Sequence, residues 1–115
     1  MKYKVMIVED QTMPRELFEL RVQSSEHFEV ALSIDNAALT DVYCLRFPVD
    51  LILMDVVTRG GESGLDAAER IKRAFPQIKI IIVTSMPECS YLSRAREIGV
   101  ESFWYKEEQR ESLLD

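Results

Sequence analysis

Asp50-Leu51-Ile52-Leu53-Met54-Asp55 sets four apolar residues in a row between two acids, with Pro48 before the run and Thr58-Arg59-Gly60-Gly61 after it. A short apolar run bounded by turn residues reads as a strand buried on both faces, the kind found in a parallel sheet covered by helices. Asp55 closes the strand. Its carboxylate therefore emerges at the carboxyl edge of the sheet, where open α/β folds form their binding crevice.

The same pattern occurs earlier, where Lys4 to Val8 runs into Glu9-Asp10. After Gln11, Thr12 is expected to cap a helix that has Pro14 in its early turn and Leu17, Phe18, Leu20 and Val22 as its apolar face. His27 to Ile34 alternates and then runs apolar, a second strand nearer an edge. Asp35-Asn36 reads as a turn or cap, and Ala37 to Arg46 as a helix with Leu39, Val42, Tyr43 and Leu45 inward.

Beyond Asp55, Gly64 to Phe75 spaces Leu65, Ala68, Ile71 and Phe75 as a helix does, and Pro76 stops it. Ile80-Ile81-Ile82-Val83, all β-branched, make Lys79 to Thr84 a strand. Glu88 to Ile98 is a fourth helix closed by Gly99, Ser102-Phe103-Trp104-Tyr105 a short fifth strand before Lys106, and Gln109 begins a helix cut short at Asp115. Strand and helix in alternation predict one doubly wound, flavodoxin-like α/β domain with a five-stranded parallel sheet. Right-handed crossovers limit the strand orders severely, and 2-1-3-4-5 is one of the two common ones. In that order Glu9, Asp10, Asp55, Thr84 and Lys106 converge at one edge.

At 115 residues the chain holds a single domain with a real core. A net charge of −6 argues against nucleic-acid binding by this domain itself, because phosphate backbones are gripped by basic surfaces. No segment approaches the length of a membrane span or signal peptide, and Cys44 and Cys89 lack metal-site spacing. Both are expected as free thiols in a cytoplasmic protein.

Three carboxylates at close quarters repel one another unless a cation sits among them. Mg²⁺ is the natural choice, since it takes oxygen ligands and accepts one or two carboxylates directly. The backbone carbonyl of Val57 is a further candidate ligand. Thr84 and Lys106, with Ser85 beside them, are donors rather than ligands. Donors opposite a metal-bound carboxylate suit a phosphoryl group, whose outer oxygens need matching by metal, ammonium and hydroxyl. Asp55 is then the nucleophile, giving an aspartyl phosphate.

Glu9-Asp10, Asp55, Thr84 and Lys106, in that order and each at a strand end, together resemble the receiver domain of bacterial two-component response regulators over essentially the whole chain. The resemblance implies that Asp55 accepts phosphoryl from a sensor histidine kinase. It implies that Asp10 and Asp55 bind Mg²⁺ with Glu9 helping through water, and that Thr84 and Lys106 hold the phosphoryl oxygens. Phe103 takes the position of the aromatic that turns inward when Thr84 moves. The implied output is a changed surface on the fourth helix, fifth strand and fifth helix, commonly read by homodimerisation. DNA would be reached only through an output domain outside this sequence, the chain being the N-terminal part of a longer regulator.

The family usually has Pro four residues past the acceptor and Gly about eight past it. Here Arg59 and Gly64 stand four and nine residues on, which predicts a longer loop between Thr58 and Ser63. Glu107 replaces the frequent Pro after Lys106, and a Lys-acidic pair there is similar to receivers of LuxR/NarL-type regulators. Two other readings compete with a phosphorylation switch. A degenerate receiver would act as a phosphorylation-independent interaction module. A haloacid-dehalogenase-type phosphatase would need a second Asp two residues after the first, and Val57 sits there.

Overall fold

The computed structural model describes residues 2–56, 63–84 and 89–105. Five parallel strands, β1 (Tyr3–Val8), β2 (Phe28–Ile34), β3 (Leu51–Asp55), β4 (Lys79–Thr84) and β5 (Ser102–Tyr105), form one sheet in the order 2-1-3-4-5. Helices α1 (Thr12–Gln23), α2 (Thr40–Arg46), α3 (Gly64–Ala74) and α4 (Cys89–Ile98) connect them. The helix expected from Gln109 lies outside the described residues.

Successive strand residues point to opposite faces, and the core divides accordingly. Met6, Val8, Ile52, Met54, Ile80 and Ile82 pack on one side with Leu65, Ala68 and Ile71 of α3 and Ala95 of α4. Val5, Ile7, Leu51, Leu53 and Val83 pack on the other with Phe18 and Val22 of α1. All of β3 is buried, as a strand covered on both faces must be. Every residue of β2 is half-buried, as befits an edge strand. Ala31 is left over between the pairs Val5–Val30 and Met6–Leu32, a bulge that bends this edge.

Two helical faces differ from expectation. In α1, Phe18 and Val22 are buried, whereas Leu17 and Leu20 are 47% and 61% exposed. At 3.6 residues per turn, Leu20 lies about 200° round the helix from Phe18, so one contact stripe cannot hold both. Gln11, not Thr12, stands at the N-cap, and its side chain makes no capping bond. Helix pairing begins there because the Arg15 amide donates to the Gln11 carbonyl (3.1 Å).

The second segment is not one continuous helix either. Ala37–Leu39 is a 3-10 turn capped by Asn36, whose Oδ1 accepts from the Ala38 amide (2.9 Å), and α2 follows it. A 3-10 turn advances about three residues per turn and so shifts the phase of the helix after it. Ala37 and Thr40 are buried and Tyr43 and Cys44 pack against the core, while Leu39, Val42 and Leu45 face outward.

Register sets where the strands end. At the amino end, Asp50 holds three strands together: its carboxylate and its amide both pair with the Lys4 backbone (2.8 Å each), and its carbonyl accepts from the Lys79 amide (3.0 Å). At the carboxyl end Val8 pairs with Met54, and Asp55 with Val83. Glu9 and Asp55 thus come level on neighbouring strands.

Candidate functional site

The level strand ends bring Glu9, Asp10 and Asp55 together, each with a carboxylate oxygen within 4.8 Å of the others. Glu9 and Asp55 are buried and Asp10 half-buried. At an effective dielectric of about 20, two unit charges about 4 Å apart repel by about 4 kcal/mol. Such a trio is stable only with positive charge or protons supplied to it. The donor set is all oxygen, with neither imidazole nor thiolate, and this suits a hard cation such as Mg²⁺ rather than zinc. A hard divalent cation therefore fits the residues present, and Glu9, Asp10 and Asp55 are the residues that would hold it.

Glu9 is fixed from several directions. Its amide donates to the Ile34 carbonyl (2.9 Å), tying the end of β1 to the end of β2. Its Oε2 accepts from the Gln11 amide (3.2 Å), and its carbonyl accepts from Nη1 of Arg15 (3.1 Å). The N-cap residue and the first turn of α1 therefore grip Glu9 by main chain and side chain alike.

Asp55 is held from the α3 side. The Val56 amide continues the ladder to the Val83 carbonyl (3.3 Å), and the Gly64 amide donates to the Val56 carbonyl (2.6 Å). Ser63 caps α3, its hydroxyl accepting from the Leu65 amide (3.1 Å). The turn brings Gly64 so close that a β-carbon there would lie 1.9 Å from the Asp55 carbonyl oxygen and 2.8 Å from its carbon. Only glycine permits that approach.

Of the other predicted residues, Thr84 ends β4 one step beyond the Asp55–Val83 pair. Phe103 pairs with Ile82 and is half-buried against the core on the α3 and α4 side. Val57, Ser85 and Lys106 lie outside the described residues. The expected longer loop, Thr58 to Ser63, is described only at Ser63. His27 stands at the opposite end of the sheet, where its carbonyl accepts from the Tyr3 amide (2.8 Å). Cys44 is a free thiol, pushed up to about 11 by burial and by the Asp41 charge, so it is a packing residue rather than a nucleophile.

Sequence reasoning missed Gln11, Arg15 and the contact made by Gly64. The glycine's distance from Asp55 was legible, but its contact with that residue's carbonyl is a product of how α3 docks. Arg15 carried only the weak signal of a cation one turn after an acid pair.

Residues 5–115 match the response regulator receiver domain family, and the chain belongs to it. Fimbriae Z protein of Escherichia coli (strain K12) is 30% identical over 99 residues, covering 86% of this chain and 47% of that protein. Oxygen regulatory protein NreC of Staphylococcus haemolyticus is 28% identical over 111 residues, covering 96% of this chain and 51% of that one. The chain thus spans about half the length of the curated relatives it matches.

Among solved structures, a DNA-binding response regulator of the LuxR family from Staphylococcus aureus aligns with a TM-score of 0.84 at 25% identity, over 91% of this chain and 87% of that one. This relative supports the LuxR/NarL-type subfamily suggested by Lys106-Glu107. The isolated REC domain of RcsB from Salmonella enterica serovar Typhimurium, determined with phosphomimetic BeF3−, shares the fold with a TM-score of 0.85 at 18% identity, over 93% of this chain and 79% of that one. The chain is a receiver domain of two-component signalling, a class of signalling domain rather than a classical enzyme. Among the described residues no helix is long and apolar enough to cross a membrane.

Proposed function

We propose that this domain is a phosphorylation-driven switch in which Asp55 accepts a phosphoryl group from a sensor histidine kinase. The observation that carries the reading is the Glu9, Asp10 and Asp55 cluster at the strand ends. An Asp55 carboxylate oxygen attacks phosphorus, an O–P bond forms, and the N–P bond to the kinase histidine breaks. Asp10 and Asp55 would hold Mg²⁺, with Glu9 helping through water and the Val57 carbonyl as a further ligand. Bound there, the ion supplies positive charge against the outer phosphoryl oxygens. Thr84, Ser85 and Lys106 donate to those same oxygens. The domain is a phosphoacceptor that at most assists its own phosphorylation and dephosphorylation.

Phosphorylation adds about two negative charges at Asp55 and draws Thr84 and Lys106 toward them. Phe103 then moves from half-burial to full burial, repacking the surface of α4, β5 and the helix that follows. That surface favours a homodimer, and an output domain in a longer, cytoplasmic regulator passes the change to DNA. Support for a transcriptional output is the DNA-binding, LuxR-family relative. The degenerate-receiver reading would be favoured by a dispersed or incomplete acid cluster, whereas the three acids here are assembled and two are buried.

The test is labelling by acetyl phosphate or phosphoramidate, followed by intact mass. The wild type is expected to gain one phosphoryl with Mg²⁺ present, and Asp55→Asn none. An Asp55→Asn protein that labels like the wild type would move the acceptor elsewhere.

A further inference from the structure

We infer that Arg15 is a positioning residue for the acid pair, setting the peptide that carries Glu9 and Asp10 so that both carboxylates face Asp55. The inference rests on the proposed metal and phosphoacceptor reading of that site. Glu9 lies one residue past β1 and Asp10 two past it; beyond the Glu9 amide, which still bonds to the end of β2, strand pairing no longer dictates where the chain goes. The peptide linking them is what orients both side chains. Its carbonyl accepts from Nη1 of Arg15 (3.1 Å). The preceding amide is fixed to the Ile34 carbonyl (2.9 Å), so the Glu9 main chain is held at both ends.

Arg15 is itself well placed to act as a strut. It is half-buried in the first turn of α1, and its own amide donates to the Gln11 carbonyl (3.1 Å). Gln11 in turn donates to Glu9 Oε2 (3.2 Å). Main-chain and side-chain contacts thus close a loop from Glu9 through Gln11 to Arg15 and back. Arg15 also lines the cleft that α1 forms with the end of β2, as do Glu19 and Asp35. Glu19 is engaged there by the Ser33 hydroxyl (2.6 Å).

Two effects of this arginine on cation binding have opposite signs, and that makes the inference decidable. As a bare charge near three carboxylates, Arg15 disfavours a second cation, so its removal would tighten Mg²⁺ binding. As a strut, it holds ligands in place, and its removal loosens binding. Outer partners of metal ligands typically contribute about 10–100-fold in affinity. A contact to the ligand's main chain belongs at the lower end, about tenfold.

The experiment is a Mg²⁺ titration of wild type, Arg15→Ala and Arg15→Lys by calorimetry, with ¹⁵N spectra of the metal-free proteins alongside. Arg15→Ala is expected to weaken Mg²⁺ about tenfold. Arg15→Lys, which keeps a donor but loses the fork, should recover part of that loss. In the metal-free spectra the Asp10 amide, which shares the peptide with the Glu9 carbonyl, should shift in Arg15→Ala and the Gln11 amide exchange faster. Unchanged or tighter Mg²⁺ binding by Arg15→Ala would overturn the inference while leaving the site reading intact. If the wild type binds no Mg²⁺, the site reading fails instead, and the metal-free amides decide Arg15 alone: unmoved Asp10 and Gln11 signals overturn the inference. Should Arg15→Ala not fold, Arg15→Lys is decisive by itself, since a pure charge effect makes it equal to wild type in both readouts.

Discussion

A β-carbon at position 64 would lie 1.9 Å from the Asp55 carbonyl oxygen and 3.0 Å from Cγ of Met54. Both neighbours belong to the buried central strand, so neither can give way cheaply. Gly64→Ala is therefore expected to cost about 1–3 kcal/mol by overpacking and to slow labelling of Asp55 by moving its backbone. Gly99 is the contrasting case: it has φ 90°, yet an added β-carbon there would meet nothing within 4 Å. Gly99→Ala should cost about 1–2 kcal/mol from left-handed strain alone, largely avoided by Gly99→Asn, and should leave labelling untouched. Urea unfolding read beside phosphodonor labelling separates the two glycines. Equal effects on labelling would show that the Gly64 contact does not position the acceptor.

Between elements, polar contacts fix how the helices sit. Arg70 of α3 holds Asp41 of α2 in a forked pair, with Nε and Nη2 reaching its two oxygens at 2.8–3.3 Å. Those hydrogen bonds keep the Asp41 carboxyl below its usual 3.8 despite partial burial. Glu101, just before β5, continues the pairing with β4, its Oε1 accepting from the Ile80 amide (2.8 Å) and its amide donating to the Ile80 carbonyl (2.9 Å). Burial pushes its carboxyl up, but the Lys72 ammonium and the Ile80 amide together outweigh burial and hold it below 4.5.

Both shifts have the same sign. A carboxyl lowered in the folded protein binds its proton less readily there than when unfolded. Its stabilisation is complete above the unfolded value and is lost as pH falls through the folded one. Stability is thus expected to decline below about pH 4.5 as these pairs are protonated. Because both pairs are partly exposed, each should contribute about 1 kcal/mol or less. Urea midpoints from pH 6 to pH 3 should fall less steeply in the double variant Asp41→Asn, Glu101→Gln than in wild type. An identical slope would mean that other carboxylates carry the acid limb.

At the scale of the whole molecule, the net charge of −6 includes three acids gathered at one edge of the sheet. Strand register gathers these acids against their mutual repulsion, so a cation bound there should stabilise the fold by mass action. At a Mg²⁺ concentration about 100-fold above its dissociation constant, the gain is about 2.7 kcal/mol. The melting temperature should rise accordingly, by more than a NaCl control of equal ionic strength produces, and the rise should vanish in Asp10→Asn. A rise that persists in Asp10→Asn would place the cation elsewhere on the surface.

Alternating strand and helix, the apolar run ending at Asp55 and the acids after Val8 determined the five strands and the candidate acids, because such patterns depend only on neighbours along the chain, whereas 2-1-3-4-5 was one of two common orders and the tertiary structure decided it. Which helical face turns inward did not follow. Leu17, Leu20, Leu39, Val42 and Leu45 are as apolar as Phe18, Val22 and Tyr43, and only the docking angle of α1 and the 3-10 turn before α2 select among them. The supports of the site, Gln11, Arg15 and Gly64, were likewise decided by tertiary structure. Their roles arise from strand register and from the approach of two helix starts to the sheet edge, distances that no local pattern encodes.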